Sequence, residues 1–379
     1  MEVYLDNSAT TKPYAEVVAE MTEILINNYG NPSSLHSLGK RAEDALNDAR
    51  QTIADTLCAA PAEIVFTGGG TESDNLAITG TALTYRKNGN KIITQKTEHM
   101  AVLETMHRLE EMGFEVYYAD VDDTGCVDAD DIISHIDDKT ILVSIMHVNN
   151  ETGAVMPIEK IASAIDHSKC LFHVDAVQSY GKLPINPAKS GIDLMSISSH
   201  KIHGPNGVGA LYVRKGVRLS PVIYGGKQEK GLRSGTENLA GICGFAKAAK
   251  IKFASMQEDR KHISALKAKL IAELTAAIEN TVVISPEDSM YSIVNIAFPG
   301  LKSEVLLHVL ESKGIYVSTG SACNSKKNLS YVLKAMAIKD NVVDASIRIS
   351  LSSFNTVEEM DYVVKTLKDE VKLLRKIMR

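Results

Sequence analysis

Along the first two thirds of the chain, short and nearly uninterrupted apolar runs alternate with amphipathic stretches. Residues 63–67 (EIVFT), 91–95 (KIITQ), 115–119 (EVYYA), 140–146 (TILVSIM), 170–175 (CLFHVD), 194–198 (LMSIS) and 209–213 (GALYV) read as strands. Helical patterns fill most of the intervals, at 71–87, 100–112 and 157–168. Strands that are apolar on both faces, joined by helical crossovers, predict a mostly parallel sheet covered by helices. From about Thr236 a long helical stretch runs towards Ala277. It is followed by YSIVNIAFPG, another helix, GIYVS, the strand ASIRISLS and a terminal helix. The expected fold class is therefore α/β, a large domain with a mostly parallel sheet plus a smaller α+β domain. The expected division is an N-terminal arm (1–15) associated with the smaller domain, a large domain (16–255) and a small C-terminal domain (256–379).

Composition changes this picture little. Of 379 residues, 44% are apolar and 23% charged, ordinary values for a chain that buries a large core. A net charge of -6 gives no reason to expect nucleic acid or an acidic membrane surface as partner. No basic-then-apolar leader opens the sequence and no run of about 18 apolar residues occurs, so neither a signal peptide nor a membrane span is expected. The five cysteines, Cys58, Cys126, Cys170, Cys243 and Cys323, are scattered without a CxxC pair. That argues against a disulfide framework or a structural zinc, and for a reducing cytoplasm. His200 and His203 lie in a Gly/Pro loop without further clustered ligands, so no metal is expected.

In an open α/β sheet, ligands bind beyond the carboxyl ends of the strands, and those ends carry a compact set of residues. EIVFTGGGTESDN is strand, glycine turn and helix, leaving the amides of Gly70 and Thr71 free to hold an anion at a helix N-terminus. It has neither the P-loop lysine nor the dinucleotide fingerprint, and alone it reads as a plain tight turn. His99 follows the strand at 91–95; a lone histidine is more often structural. Asp175 ends another strand, where it would serve equally as a helix cap, and Gln178 follows it. Lys201, in SSHKIHGPNGVGALYV, enters a Gly/Pro loop from a buried strand. Together, a phosphate cup, a carboxylate, an imidazole and a lysine suit pyridoxal 5'-phosphate. That cofactor needs a lysine to hold its aldehyde and a carboxylate to keep its ring nitrogen protonated. Among the cysteines, Cys323 alone sits in a Gly/Ser/Asn/Lys-rich segment, STGSACNSKKNLS, where Lys326 and Lys327 would favour the thiolate. The other four sit in or beside apolar or helical patterns and are expected in or near the core.

The blocks YLDNSATT, NYGNPSSLHSLG, FTGGGTESDN, TEHMAV, HVNNETG, HVDAVQSYGK, SSHKIHGPNGVGALYV, GLRSGTEN, STGSACNS and ASIRISLSSFNT, in this order, resemble the signature blocks of the NifS/IscS-type cysteine desulfurases, members of the class V aminotransferases. The resemblance implies pyridoxal-phosphate fold type I, a homodimer, and conversion of L-cysteine to L-alanine with the sulfur left on an enzyme cysteine as a persulfide. It implies Lys201 as the lysine that carries the cofactor and Asp175 as the partner of its ring nitrogen. Gln178 would hydrogen-bond the ring hydroxyl, and His99 would stack on the ring and act as an acid–base group. Thr71, Ser198 and His200 match phosphate ligands, with Thr236 supplied from the other subunit. Asn150 and Arg348 match the residues that hold the substrate carboxylate, a planar group that a guanidinium can engage through both oxygens. Cys323 matches the nucleophile, where transient contact with an iron–sulfur cluster is also implied.

Two departures stand out. SLSSFNT replaces the family's common SLGRFTT, which keeps Arg348 but puts Ser352 and Ser353 where Gly and Arg are usual. The sequence also ends in the basic stretch VKLLRKIMR, where housekeeping members carry a longer segment that helps dock an iron–sulfur scaffold. The sulfur acceptor thus stays open between an iron–sulfur scaffold and an enzyme of tRNA thiolation or cofactor synthesis. Competing readings are a selenocysteine lyase or another fold type I enzyme, which would not need Cys323, and a non-enzymatic scaffold, which would not retain Lys201 and Asp175.

Overall fold

The computed structural model describes residues 1–319 and 329–377. Cys323, Lys326 and Lys327 lie outside the described residues. The chain opens with strand β1 (Val3–Tyr4). The large sheet follows: β2 (Ile64–Thr67), β3 (Lys91–Gln95), β4 (Glu115–Ala119), β5 (Thr140–Met146), β6 (Leu171–Asp175), β7 (Leu194–Ser198) and β8 (Gly209–Val213). Its order is β2-β8-β7-β6-β5-β3-β4. All neighbouring pairs are parallel except those of β8, which runs antiparallel to both β2 and β7. A parallel return needs a crossover of a dozen or more residues. Ser198 pairs directly with Gly209, so the connection 199–208 is too short for one and β8 comes back as a hairpin partner.

With β8 the one reversed strand, β2, β3, β5, β6 and β7 all end at the same edge of the sheet. Gly209, the first residue of β8, keeps that edge compact. A Cβ there would lie 2.6 Å from the Ile197 carbonyl oxygen and 2.8 Å from Gly69 Cα. Only a residue without a side chain lets the turn after β2 approach the end of β7 across β8.

Helices cover both faces of the sheet. On one, α1 (Ala15–Asn27), α2 (Ser37–Thr56) and the first part of the long helix Leu239–Ala277 enclose Ile53, Phe172, Ile197 and Phe245. On the other, α3 (Gly70–Tyr85) and α4 (Met100–Glu111) pack Leu76, Val102 and Met106 onto Ile92, Leu142 and Leu211. The long helix begins at Leu239 rather than near Thr236, because Asn238 caps it by accepting from Gly241 N at 3.1 Å. The helical pattern at 157–168 is realised only as Ile158–Ser163. Asp166 Oδ1 accepts from both the amide and the hydroxyl of Ser168, a local turn that competes with further helix.

A further core gathers Val3 and Leu5, Ile263, Leu266, Leu270 and Leu274 of the long helix, and the late strands. There β10 (Ile293–Ala297) pairs antiparallel with β9 (Val282–Val283) and β12 (Ser346–Ser350), while β1 pairs in parallel with β11 (Ile315–Tyr316). One helix thus runs through both cores, and the first residues of the chain pack with the last third. Among the described cysteines, Cys170 and Cys243 are buried and Cys126 partly so. Cys58 departs from the expectation: it is exposed, in the turn after α2 with φ of 52°.

Candidate active site

Beyond the shared strand ends lies a cleft of about 1300 Å³, open solvent at its mouth included. Ten of the residues expected from sequence line it: Gly70, Thr71, His99, Asn150, Asp175, Gln178, Ser198, His200, Lys201 and Arg348. The floor is built first. Gly69, at φ 148° and with nothing near a would-be Cβ, turns the chain from β2 into α3. A Cβ on Gly70 would sit 2.7 Å from Val177 and 3.7 Å from Ser198 Cβ. The N-terminus of α3 therefore abuts Ser198, whose buried hydroxyl has no hydrogen-bond partner among the described residues. Free helix N–H groups beside an unsatisfied hydroxyl form a receptor for an anion.

Asp175 closes β6 with only 7% exposure, its Oδ1 accepting from Val177 N at 2.9 Å. Burial raises its pKa, opposed by that amide and by His99 and Lys201. His99 caps α4: its Nδ1 accepts from Ala101 N at 3.1 Å, which leaves the proton on Nε2. The ring is open to the cleft, yet the crowded walls lower its pKa, opposed by Asp175 and reinforced by Lys201. His200, whose Nδ1 lies 3.2 Å from Thr10 Oγ1, is pushed down to about 4 by burial, with Lys201 and Lys182 adding to the effect. Both imidazoles are thus neutral at physiological pH. Lys201 Nζ donates to the carbonyls of Ser8 (2.5 Å) and Ala9 (2.8 Å). Gln178 is fixed from both ends of its amide, donating to Ser8 O at 2.9 Å and accepting from Lys182 at 3.3 Å.

The opposite wall comes from β12. Arg348 donates through Nη2 to Asp6 Oδ1 (2.6 Å) and through Nη1 to the Asn150 carbonyl (3.1 Å). Its Nε and the Asn150 Oδ1 are buried without partners among the described residues. With Ser198 Oγ and Asp74 Oδ1, that makes four such polar atoms on residues of one cleft. Such atoms are costly unless something completes their bonding.

Thr236 is not in the cleft. It is exposed, in the segment that precedes the long helix. Several cleft residues escaped the sequence reading. Ser8 and Ala9 hold Lys201, and Asp6 holds Arg348; the turn-rich block DNSATT after the first strand was their only signal. Tyr331 donates to the Glu98 carbonyl at 2.6 Å. Glu151, next to Asn150, is buried and accepts from Ser330 Oγ at 2.5 Å, and burial pushes its pKa up to about 7. Nothing in the spacing of NNETG marks it. Among the described residues, no group of three or more His, Cys, Asp or Glu is placed to hold a metal ion. No helix among them is long and apolar enough to cross a membrane.

Residues 3–363 match the family model of the class-V aminotransferases. The chain belongs to that family. Within it the chain is similar to the cysteine desulfurases. It is 44% identical to the protein named cysteine desulfurase IscS of Methanosarcina thermophila, over 98% of this chain and 93% of that one. Among solved structures, a NifS-like protein superposes with a TM-score of 0.94 at 40% identity, over 99% of this chain and all of that one. A structure described as SspA in complex with cysteine superposes with a TM-score of 0.82 at 36% identity, over 93% of this chain and 100% of that one. Class-V aminotransferases are pyridoxal-phosphate enzymes, and the residues present fit that cofactor. The anion receptor at Gly70, Thr71 and Ser198 suits a phosphate, and the buried Asp175 suits a protonated ring nitrogen.

Proposed function

We propose that the protein is a cysteine desulfurase that binds pyridoxal 5'-phosphate and moves sulfur from L-cysteine to Cys323. Cysteine and the enzyme thiol then become alanine and a persulfide, which an acceptor protein takes up. One observation carries this reading: Lys201, Asp175, His99, Ser198 and Arg348, drawn from both cores, line a single cleft in which Ser198 Oγ and Arg348 Nε are donors unsatisfied among the described residues, as a phosphate and a carboxylate require.

Each residue has a role that follows from its surroundings. The α3 amides, Ser198 Oγ and the neutral His200 hold the phosphate. Asp175, whose ionised form is favoured by the Val177 amide and by Lys201, would hold a proton on the ring nitrogen. The cofactor, once bound, serves as a sink for electrons leaving the substrate. Gln178, fixed by Ser8 and Lys182, orients the ring hydroxyl. Arg348 and Asn150 bind the substrate carboxylate, for which Arg348 Nε is a donor without a partner among the described residues and the Asn150 side-chain NH2 a further donor. Lys201 Nζ and His99 Nε2 exchange protons with the substrate. Cys323 accepts the sulfur as its thiolate.

We place Thr236 in the phosphate site of a second copy, making the enzyme a homodimer. Its exposure supports this, as does its neighbourhood: residues 223 and 233 bridge, and the adjacent Val222 and Tyr224 are exposed apolar side chains. The scattered cysteines suit the cytoplasm. The acceptor belongs to iron–sulfur assembly or to thiolation of tRNA or a cofactor.

The test is stoichiometric. Purified protein reconstituted with pyridoxal phosphate should form alanine and persulfide from L-cysteine in equal amounts. Cys323→Ala should abolish both while still binding the cofactor. Normal alanine formation by Cys323→Ala would reject the reading.

A further inference from the structure

A second, small chamber, which shares Ser8 and Lys201 with the cleft, has room for about one water-sized sphere. Lys182, Lys201 and Lys252 all line it, and no aspartate or glutamate among the described residues does. Lys252 forms an ion pair with Asp259, and Lys201 engages backbone carbonyls. Lys182 is different: it is buried, and its one hydrogen bond among the described residues goes to the neutral Gln178 Oε1 at 3.3 Å. Two more donors on the wall, Tyr291 Oη and Ser292 Oγ, are buried and have no partner among the described residues.

From this we infer a binding site for a single small monovalent anion, of the halide class, held by Lys182 Nζ, Tyr291 Oη and Ser292 Oγ. The chemistry of the donor set decides against the alternatives. A carboxylate or phosphate is too large for the space. A water molecule would offer two lone pairs to three donors and leave an excess positive charge in place. A halide accepts from all three and cancels one charge, where a buried unpaired cation is costly. Without a counter-ion, burial drives the Lys182 pKa down to about 7, with Lys252, Lys201 and Arg348 acting in the same direction. A bound anion would keep Lys182 charged and its bond to Gln178 intact. The site makes no use of the cofactor and stands whether or not the desulfurase reading does.

Bromide is the probe. Crystals of the wild-type holoenzyme soaked in sodium bromide and measured at the bromine absorption edge should show an anomalous peak in the chamber, in contact with Lys182 and Tyr291. Lys182→Met should lose it. Tyr291→Phe removes only a hydroxyl from a ring that stays in place, and should weaken bromide binding by about tenfold or more, a lost bond to a charged group. In solution, replacing gluconate by chloride at constant ionic strength should raise the wild-type unfolding temperature and leave that of Lys182→Met unchanged. An empty or water-filled chamber at saturating bromide would overturn the inference. So would a peak of equal strength in Lys182→Met, or unaltered bromide affinity in Tyr291→Phe.

Discussion

The cleft and the chamber share two lining residues, Ser8 and Lys201. Their charge balance differs sharply. The cleft sets Asp6, Asp74, Glu151 and Asp175 against its cations, so its groups perturb one another's proton affinities. The chamber has lysines and hydroxyls and no carboxylate on its wall. Groups arranged in opposition can exchange protons, whereas groups of one sign need a counter-ion or lose their charge. The lesson is that Lys201 sits at a boundary between a region made for chemistry and one made for support. Variants on the two sides should fail in different ways.

The largest effect belongs to Lys201 itself. Lys201→Ala should lower cysteine turnover by roughly 10³-fold or more, because among the described residues no other lysine lines the cleft to replace it. It should also remove the covalent link to the cofactor, seen as loss of a borohydride-fixed mass increment. Asp175→Asn keeps the shape and removes the charge that, in the proposed function, would hold the ring proton. We expect kcat to fall by roughly 10²–10³-fold with KM little changed, measured as alanine formed over time.

On the supporting side the loss should appear in stability. Lys252→Met leaves Asp259 buried without its ion-pair partner. Unfolding in urea should show a loss of about 3–5 kcal/mol, and Lys252→Met combined with Asp259→Leu should recover most of it. A stability loss near zero for the single variant would mean that the long helix tolerates an unpaired charge where the two cores meet.

The smallest effect sharpens the comparison by pH. Burial raises the Glu151 pKa from 4.5 to about 7, so the folded state binds a proton that the unfolded state has released. Stability should fall as pH rises from 4.5 to 7 and level off above it. Glu151→Gln keeps an acceptor for Ser330 and should flatten that decline, read from urea midpoints between pH 5 and 8.

Much of this architecture was legible in the residues. Seven apolar runs became the seven strands of the large sheet; all but the edge strand β4 are buried on both faces and so have no polar alternation to blur them. The glycine turn, Asp175, Ser198 and Lys201 could be placed at strand ends, since motif position along a strand survives folding. Helix limits were read less well. They depend on side-chain bonds such as those of Asn238 and Asp166, which compete locally with the helical ladder.

What the chain alone determined is the order of strands and helices and the identity of the groups at the strand ends, because those follow from periodicity and turn chemistry. Tertiary structure decided which distant residues meet. Asp6 reaches Arg348 because β1 joins the core of the late strands, and the first turn of the chain holds Lys201. It also decided that Lys182, ordinary in the stretch SYGKLP, is buried beside two other lysines. Burial and proximity come from packing elements far apart in sequence, and no local pattern encodes them.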